Sequence, residues 1–107
     1  MQTSITTRHG DTTQAIEEYV REKTARFSRY FDRISSVQII MDRQRNEHTV
    51  ECIVSVDHGE NLISHAGAID LYAAIDQCAD RTIRQLTDLK SRLRDHKHER
   101  PGSGAPE

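Results

Sequence analysis

A chain of 107 residues, 35% apolar and 30% charged with a net charge of −2, has room for one domain with one core. This composition excludes disordered and fibrous classes, and no apolar run approaches the roughly 20 residues of a membrane span. Met1-Gln2-Thr3-Ser4-Ile5 lacks the basic and apolar regions of a signal peptide, so the expected location is the cytoplasm.

In chain order, Gln2 to Thr7 reads as a short Thr-rich strand with Ile5 inward. Arg8-His9-Gly10-Asp11 is a turn. Asp11, Thr12 or Thr13 caps the helix that follows, and Asp11 with Gln14 resembles a capping box. That helix carries Ile16, Tyr19, Val20, Phe27, Tyr30 and Phe31 on one stripe, with Thr24 as a polar interruption. From Ser35 the period changes to two: Val37, Ile39 and Met41, then Val50, Cys52, Val54 and Val56, then Leu62, Ser64 and Ala66. Polar residues 43–47 and the run Asp57-His58-Gly59-Glu60 mark tight turns, so these three strands form an antiparallel meander. A second helix starts at Asp70, a good N-cap, and continues to about Lys97 with Leu71, Ile75, Cys78, Leu86, Leu89 and Leu93 on its apolar face. Its roughly 27 residues span about 40 Å, long enough for the last turns to project beyond the sheet. The order β-α-β-β-β-α, with one apolar face per element, predicts an α+β two-layer sandwich. A four-stranded mixed sheet carries both helices on one face. The domain is expected over residues 1–98 and a frayed tail over 99–107.

Charge is segregated. Residues 80–100 hold Arg81, Arg84, Lys90, Arg92, Arg94, Lys97 and Arg100 against Asp80, Asp88, Asp95 and Glu99, whereas residues 34–70 are acidic. A polyanion responds to such a local concentration rather than to the sum. The first helix adds Lys23, Arg26 and Arg29 at three-residue spacing, followed by Arg33. Two helices on one side of a sheet can merge these faces into one cationic surface.

No Gly-rich phosphate loop, HExxH, GxSxG or CxxC pair is present, so no catalytic site, metal, cofactor or small-molecule substrate is expected. Cys52 and Cys78 read as buried, reduced thiols. The strands contain no Phe, Tyr or Trp on which bases could stack, and their outward positions include Asp42 and Glu51. Any RNA is therefore met by the helices. Asp76 reads as a residue of the solvent face.

The box Asp70-Leu71-Tyr72-Ala73-Ala74-Ile75-Asp76, followed by Arg81, Arg84-Gln85-Leu86 and Lys90, resembles the second helix of the ribosome hibernation promoting factor family, which includes ribosome-associated inhibitor A. Tyr30-Phe31-Asp32-Arg33-Ile34, Ile5-Thr6 and Thr13-x-Ala15-Ile16 are similar to its first half. The resemblance covers about residues 1–97 and is to the short class. It implies a translation silencer that occupies the path of messenger RNA and tRNA on the small ribosomal subunit in stationary phase. It also implies basic helix residues on ribosomal RNA. The RNA-binding set expected here is Lys23, Arg26, Arg29, Arg81, Arg84, Lys90, Arg92 and Arg94, in a chain that is a monomer when free. Asp88 departs from the family's usual basic residue. The competing expectation is a protein-interaction module that uses the helix pair or an exposed sheet edge.

Overall fold

Along the chain, β1 (Gln2–Thr7), α1 (Gln14–Ala25), β2 (Ile34–Gln44), β3 (Glu47–Val56), β4 (Leu62–Ala68) and α2 (Leu71–His98) follow the expected order. The structure is a computed structural model that describes the backbone of residues 1–98 and the side chains of residues 1–94. The expected tail, 99–107, and the side chain of Lys97 lie outside the described residues.

The strands lie in the order β1-β2-β3-β4. β1 runs parallel to β2, with Ile5 beside Ile39, and the two hairpins make the remaining pairs antiparallel. Because side chains alternate across a strand, this register places Val37, Ile39, Met41, Val50, Cys52, Val54, Ser64 and Ala66 on one face. Both helices lie on that face: Val20 from the first, Phe27 from the turn that follows it, and Ala74, Ile75, Cys78, Ala79 and Leu86 from the second join the strand residues in one core. The two-layer α+β sandwich is therefore the fold observed.

Local chemistry moved several boundaries. The cap of α1 is Thr13, whose hydroxyl accepts from the Ile16 N–H at 3.1 Å. The Asp11–Gln14 capping box does not form; the Gln14 amide donates instead to Glu18, one turn on, at 3.1 Å. The helix expected to reach Phe31 ends at Ala25 and tightens into a 3-10 turn over Arg26–Arg29. The Phe27 carbonyl then accepts from both Tyr30 and Phe31, at 3.0 and 3.2 Å. This turn keeps both Phe27 and Phe31 buried, and leaves Tyr30 outside.

The interior holds a polar thread that apolar periodicity cannot show. Thr82 is 1% exposed. Its hydroxyl donates to the Cys78 carbonyl at 2.9 Å and lies 2.6 Å from the buried Ser64 hydroxyl, so Ser64 donates to it. A buried hydroxyl that loses its partner costs free energy. Thr82→Val is expected to lower unfolding stability by about 1–2 kcal/mol, read from a shifted urea midpoint at unchanged slope. Burial also pushes the Cys52 thiol up to about 12 and raises that of Cys78, so both stay protonated and poor nucleophiles.

Helix side chains reach carbonyls on both sheet edges. On β4, Arg81 donates to the His65 carbonyl and Gln85 donates to the Ile63 carbonyl at 2.9 Å. On β1, Arg21 reaches the Thr3 carbonyl at 3.4 Å. Side chains laid over an edge hinder strand addition at those positions.

Candidate nucleic-acid interface

The described part of α2 loses its sheet support before its end. Leu86 is its last fully buried residue, Leu89 is half-buried, and residues 90–94 are exposed. Leu93 lies on the apolar stripe yet is 41% exposed, because the helix has run past the strands that would cover it. The protruding turns carry Lys90, Arg92 and Arg94 into solvent.

The eight expected contact residues do not form one patch. At about 100° per residue, Lys90 and Arg94 turn toward the first helix and Arg84 points outward. Arg81 and Arg92 share the flank above β4. Arg81 is exposed, but its guanidinium folds back onto the His65 carbonyl and thus belongs partly to the scaffold. Arg26, Arg29, Arg84, Lys90, Arg92 and Arg94 are exposed, and none of these six forms an ion pair with a described residue.

Lys23 differs. Its ammonium lies 3.1 Å from Asp76 and 5.4 Å from the centre of the Tyr19 ring. The Tyr19 hydroxyl donates to the same carboxylate at 2.5 Å, and the ring meets Tyr72 edge-on at 4.9 Å. Asp76 therefore does more than face solvent: with its side chain 44% exposed, it joins the two helices. The Tyr19 hydrogen bond, and then Lys23, hold its carboxyl below the usual range, and the same bonds to Asp76 raise Tyr19 and Lys23. A carboxylate with a lowered folded-state pKa stabilises the fold above its unfolded value near 4, and that stability is lost as pH falls through the folded value. Asp76→Asn is expected to cost about 1–2 kcal/mol at pH 7 and less below pH 4. Urea unfolding at pH 7 and pH 3 checks both.

Where the 3-10 turn enters β2, the structure gathers a basic cleft of about 360 Å³. Arg29, Lys90 and Arg94 line it, together with Arg33, Ser28, Phe31, Leu93 and, among the described residues, a single acid, Asp32. Arg33 was outside the expected set. The Phe31 ring lies 5.3 Å below its guanidinium and Asp32 lies 3.7 Å from its Nε, so the side chain is held at the rim. Its sequence signal was the basic spacing 23, 26, 29, 33, read along a helix that in fact ends earlier.

The outer sheet face mixes charges: it presents Asp42, Glu47 and Glu51 with Arg8 and Arg81 beside them, and His9 lies 2.9 Å from Asp42 and His65 3.9 Å from Glu51. No strand carries an aromatic residue. Among the described residues no group of three or more His, Cys, Asp or Glu is placed to hold a metal ion. No helix of the described residues is long and apolar enough to cross a membrane.

Comparison with known proteins identifies the family. Residues 3–94 match the family described as Sigma 54 modulation protein / S30EA ribosomal protein. The chain belongs to this family. It is 38% identical over 96 residues to the ribosome hibernation promoting factor of Escherichia coli (strain K12), covering 90% of this chain and 100% of that protein. To the protein of the same name from Azotobacter vinelandii it is 40% identical over 92 residues, covering 86% of this chain and 85% of the relative. Among solved structures, the Protein Y N-terminal domain of Thermus thermophilus superposes with a TM-score of 0.77 at 29% identity, covering 83% of this chain and 99% of that one. A ribosomal subunit interface protein from Coxiella burnetii gives 0.80 at 24% identity, over 85% and 99% of the two chains, and supports the fold. For a member of the S30EA family, the fold places the outer sheet face and the basic helical side on opposite surfaces.

Proposed function

We propose that this protein is a ribosome-binding hibernation factor. It lies on the small subunit in the path of messenger RNA and tRNA, and it silences translation in stationary phase or stress. The supporting observation is the set of six exposed cations on the helical layer, none ion-paired with a described residue, in a chain that matches a ribosome hibernation promoting factor over that protein's full length. Contact is made by Arg26, Arg29, Arg84, Lys90, Arg92 and Arg94. Lys23 and Arg81 contribute charge while also bracing the fold.

Binding by this surface does no covalent chemistry. Each Lys or Arg that meets a phosphate releases condensed counterions, so affinity falls steeply with salt. A silencer of this kind acts by occupancy: a helix pair seated on the RNA excludes whatever uses the same path. Sedimentation with purified small subunits tests the reading. The protein is expected in the subunit fraction at low salt and at the top of the gradient in high salt, and it should depress translation in a reconstituted extract. Salt-resistant binding, or none, refutes the reading. The free protein is expected to sediment as a monomer.

A further inference from the structure

Resting on that ribosome-binding reading, we infer that the cleft between Phe31–Arg33 and Lys90–Arg94 holds one unstacked nucleotide of an RNA strand. Arg29, Lys90 and Arg94 surround its phosphate, and Arg33 and Leu93 receive its base.

Three features of the cleft separate this from general phosphate contact. Its volume of about 360 Å³ lies at the small end of ligand sites and fits one nucleotide. Among the described residues four cations face a single acid, Asp32, whose side chain is 90% exposed and paired with Arg33. This balance favours an anion inside an otherwise anionic chain. The cleft also has an apolar and a planar wall, which a bare phosphate does not need. Leu93 stands exposed among the cations, and the planar Arg33 guanidinium sits over the buried Phe31 ring, 5.3 Å from its centre. A splayed base stacks on arginine planes, and apolar side chains can close the other side of its pocket.

A duplex cannot use those walls. Its bases are stacked inside the helix, and it offers side chains only phosphates, sugars and a shallow groove. The cleft therefore selects unpaired RNA, while Arg84 and Arg92 outside it meet backbone of either kind.

The test compares a fluorescein-labelled six-nucleotide single-stranded RNA with an RNA duplex of equal phosphate count, by anisotropy at low salt. The full chain, Leu93→Ala, Arg33→Gln and the Arg84→Glu/Arg92→Glu pair are measured, with circular dichroism confirming each fold. Leu93→Ala and Arg33→Gln are each expected to weaken the single strand roughly tenfold and the duplex less than about twofold. The charge-reversed pair should weaken both probes alike. Equal loss on both probes, or no loss with Leu93→Ala, overturns the inference. Small-subunit sedimentation run in parallel separates the two levels: if it persists while the cleft variants bind normally, the inference falls and the functional reading stands. If the unaltered protein fails to sediment with subunits, both fall.

Discussion

Arg84→Glu combined with Arg92→Glu is expected to abolish recovery of the protein in the small-subunit fraction at moderate salt. Both side chains are exposed and neither pairs with a described carboxylate. Their removal therefore leaves the ion pairs among the described residues intact. A charge-assisted hydrogen bond contributes about 1.5–3 kcal/mol, so losing two corresponds to about 10²–10⁴-fold in affinity. Reversal adds repulsion on top of that loss. The slope of log affinity against log salt should also flatten by about two, one for each phosphate contact removed. Arg81 is a poorer choice for this experiment, because its guanidinium covers the His65 carbonyl at the β4 edge. A defect in Arg81→Glu would mix lost contact with an uncovered strand. The measurement is subunit co-sedimentation at several salt concentrations, with thermal unfolding of the same variant expected to match the unaltered protein.

Phe27→Ala carries the largest expected cost in stability. Phe27 is fully buried, and it sits in the 3-10 turn where α1 hands over to β2. Removing a buried phenyl ring forfeits its transfer free energy and leaves a cavity that the surroundings only partly fill, about 3–5 kcal/mol. A domain of this size has about 5–15 kcal/mol in total. The variant is expected to lose more than about 1 M from its urea midpoint or to fail to fold at 37 °C. Tyr30→Ala, three residues on and 37% exposed, is the control; it should cost less than about 1 kcal/mol. Equal losses at the two positions would contradict the placement of this turn.

Periodicity made most of the architecture legible. The change from three-and-four spacing to alternation at residue 35, and back at residue 70, set the element order. The two short turns then left few ways to arrange the sheet. Thr13 could not be chosen over Asp11 as the cap, because either side chain can accept a first-turn N–H and only the backbone path decides. Thr82 occupies an inward position but reads as a polar residue. Its place in the core depends on Ser64, 18 residues earlier, supplying a hydrogen. Asp76 and Tyr19 are 57 residues apart, and their bond exists only because the helices run side by side. The same limit applied to the basic residues. Composition located the charge on the helices, but the folding back of Arg81, the pairing of Lys23 and the gathering of Arg33 with Lys90 and Arg94 are all long-range contacts. Leu93 fits the apolar stripe by spacing; its exposure follows from where the sheet stops.

An electron-microscopy structure of the protein on the small ribosomal subunit tests the central claim most directly. The outward sides of α1 and α2 should face ribosomal RNA, with Arg84, Lys90, Arg92 and Arg94 within hydrogen-bonding distance of phosphates and the outer sheet face turned away. Density that seats the sheet face against RNA, or leaves those four side chains in solvent, would contradict it.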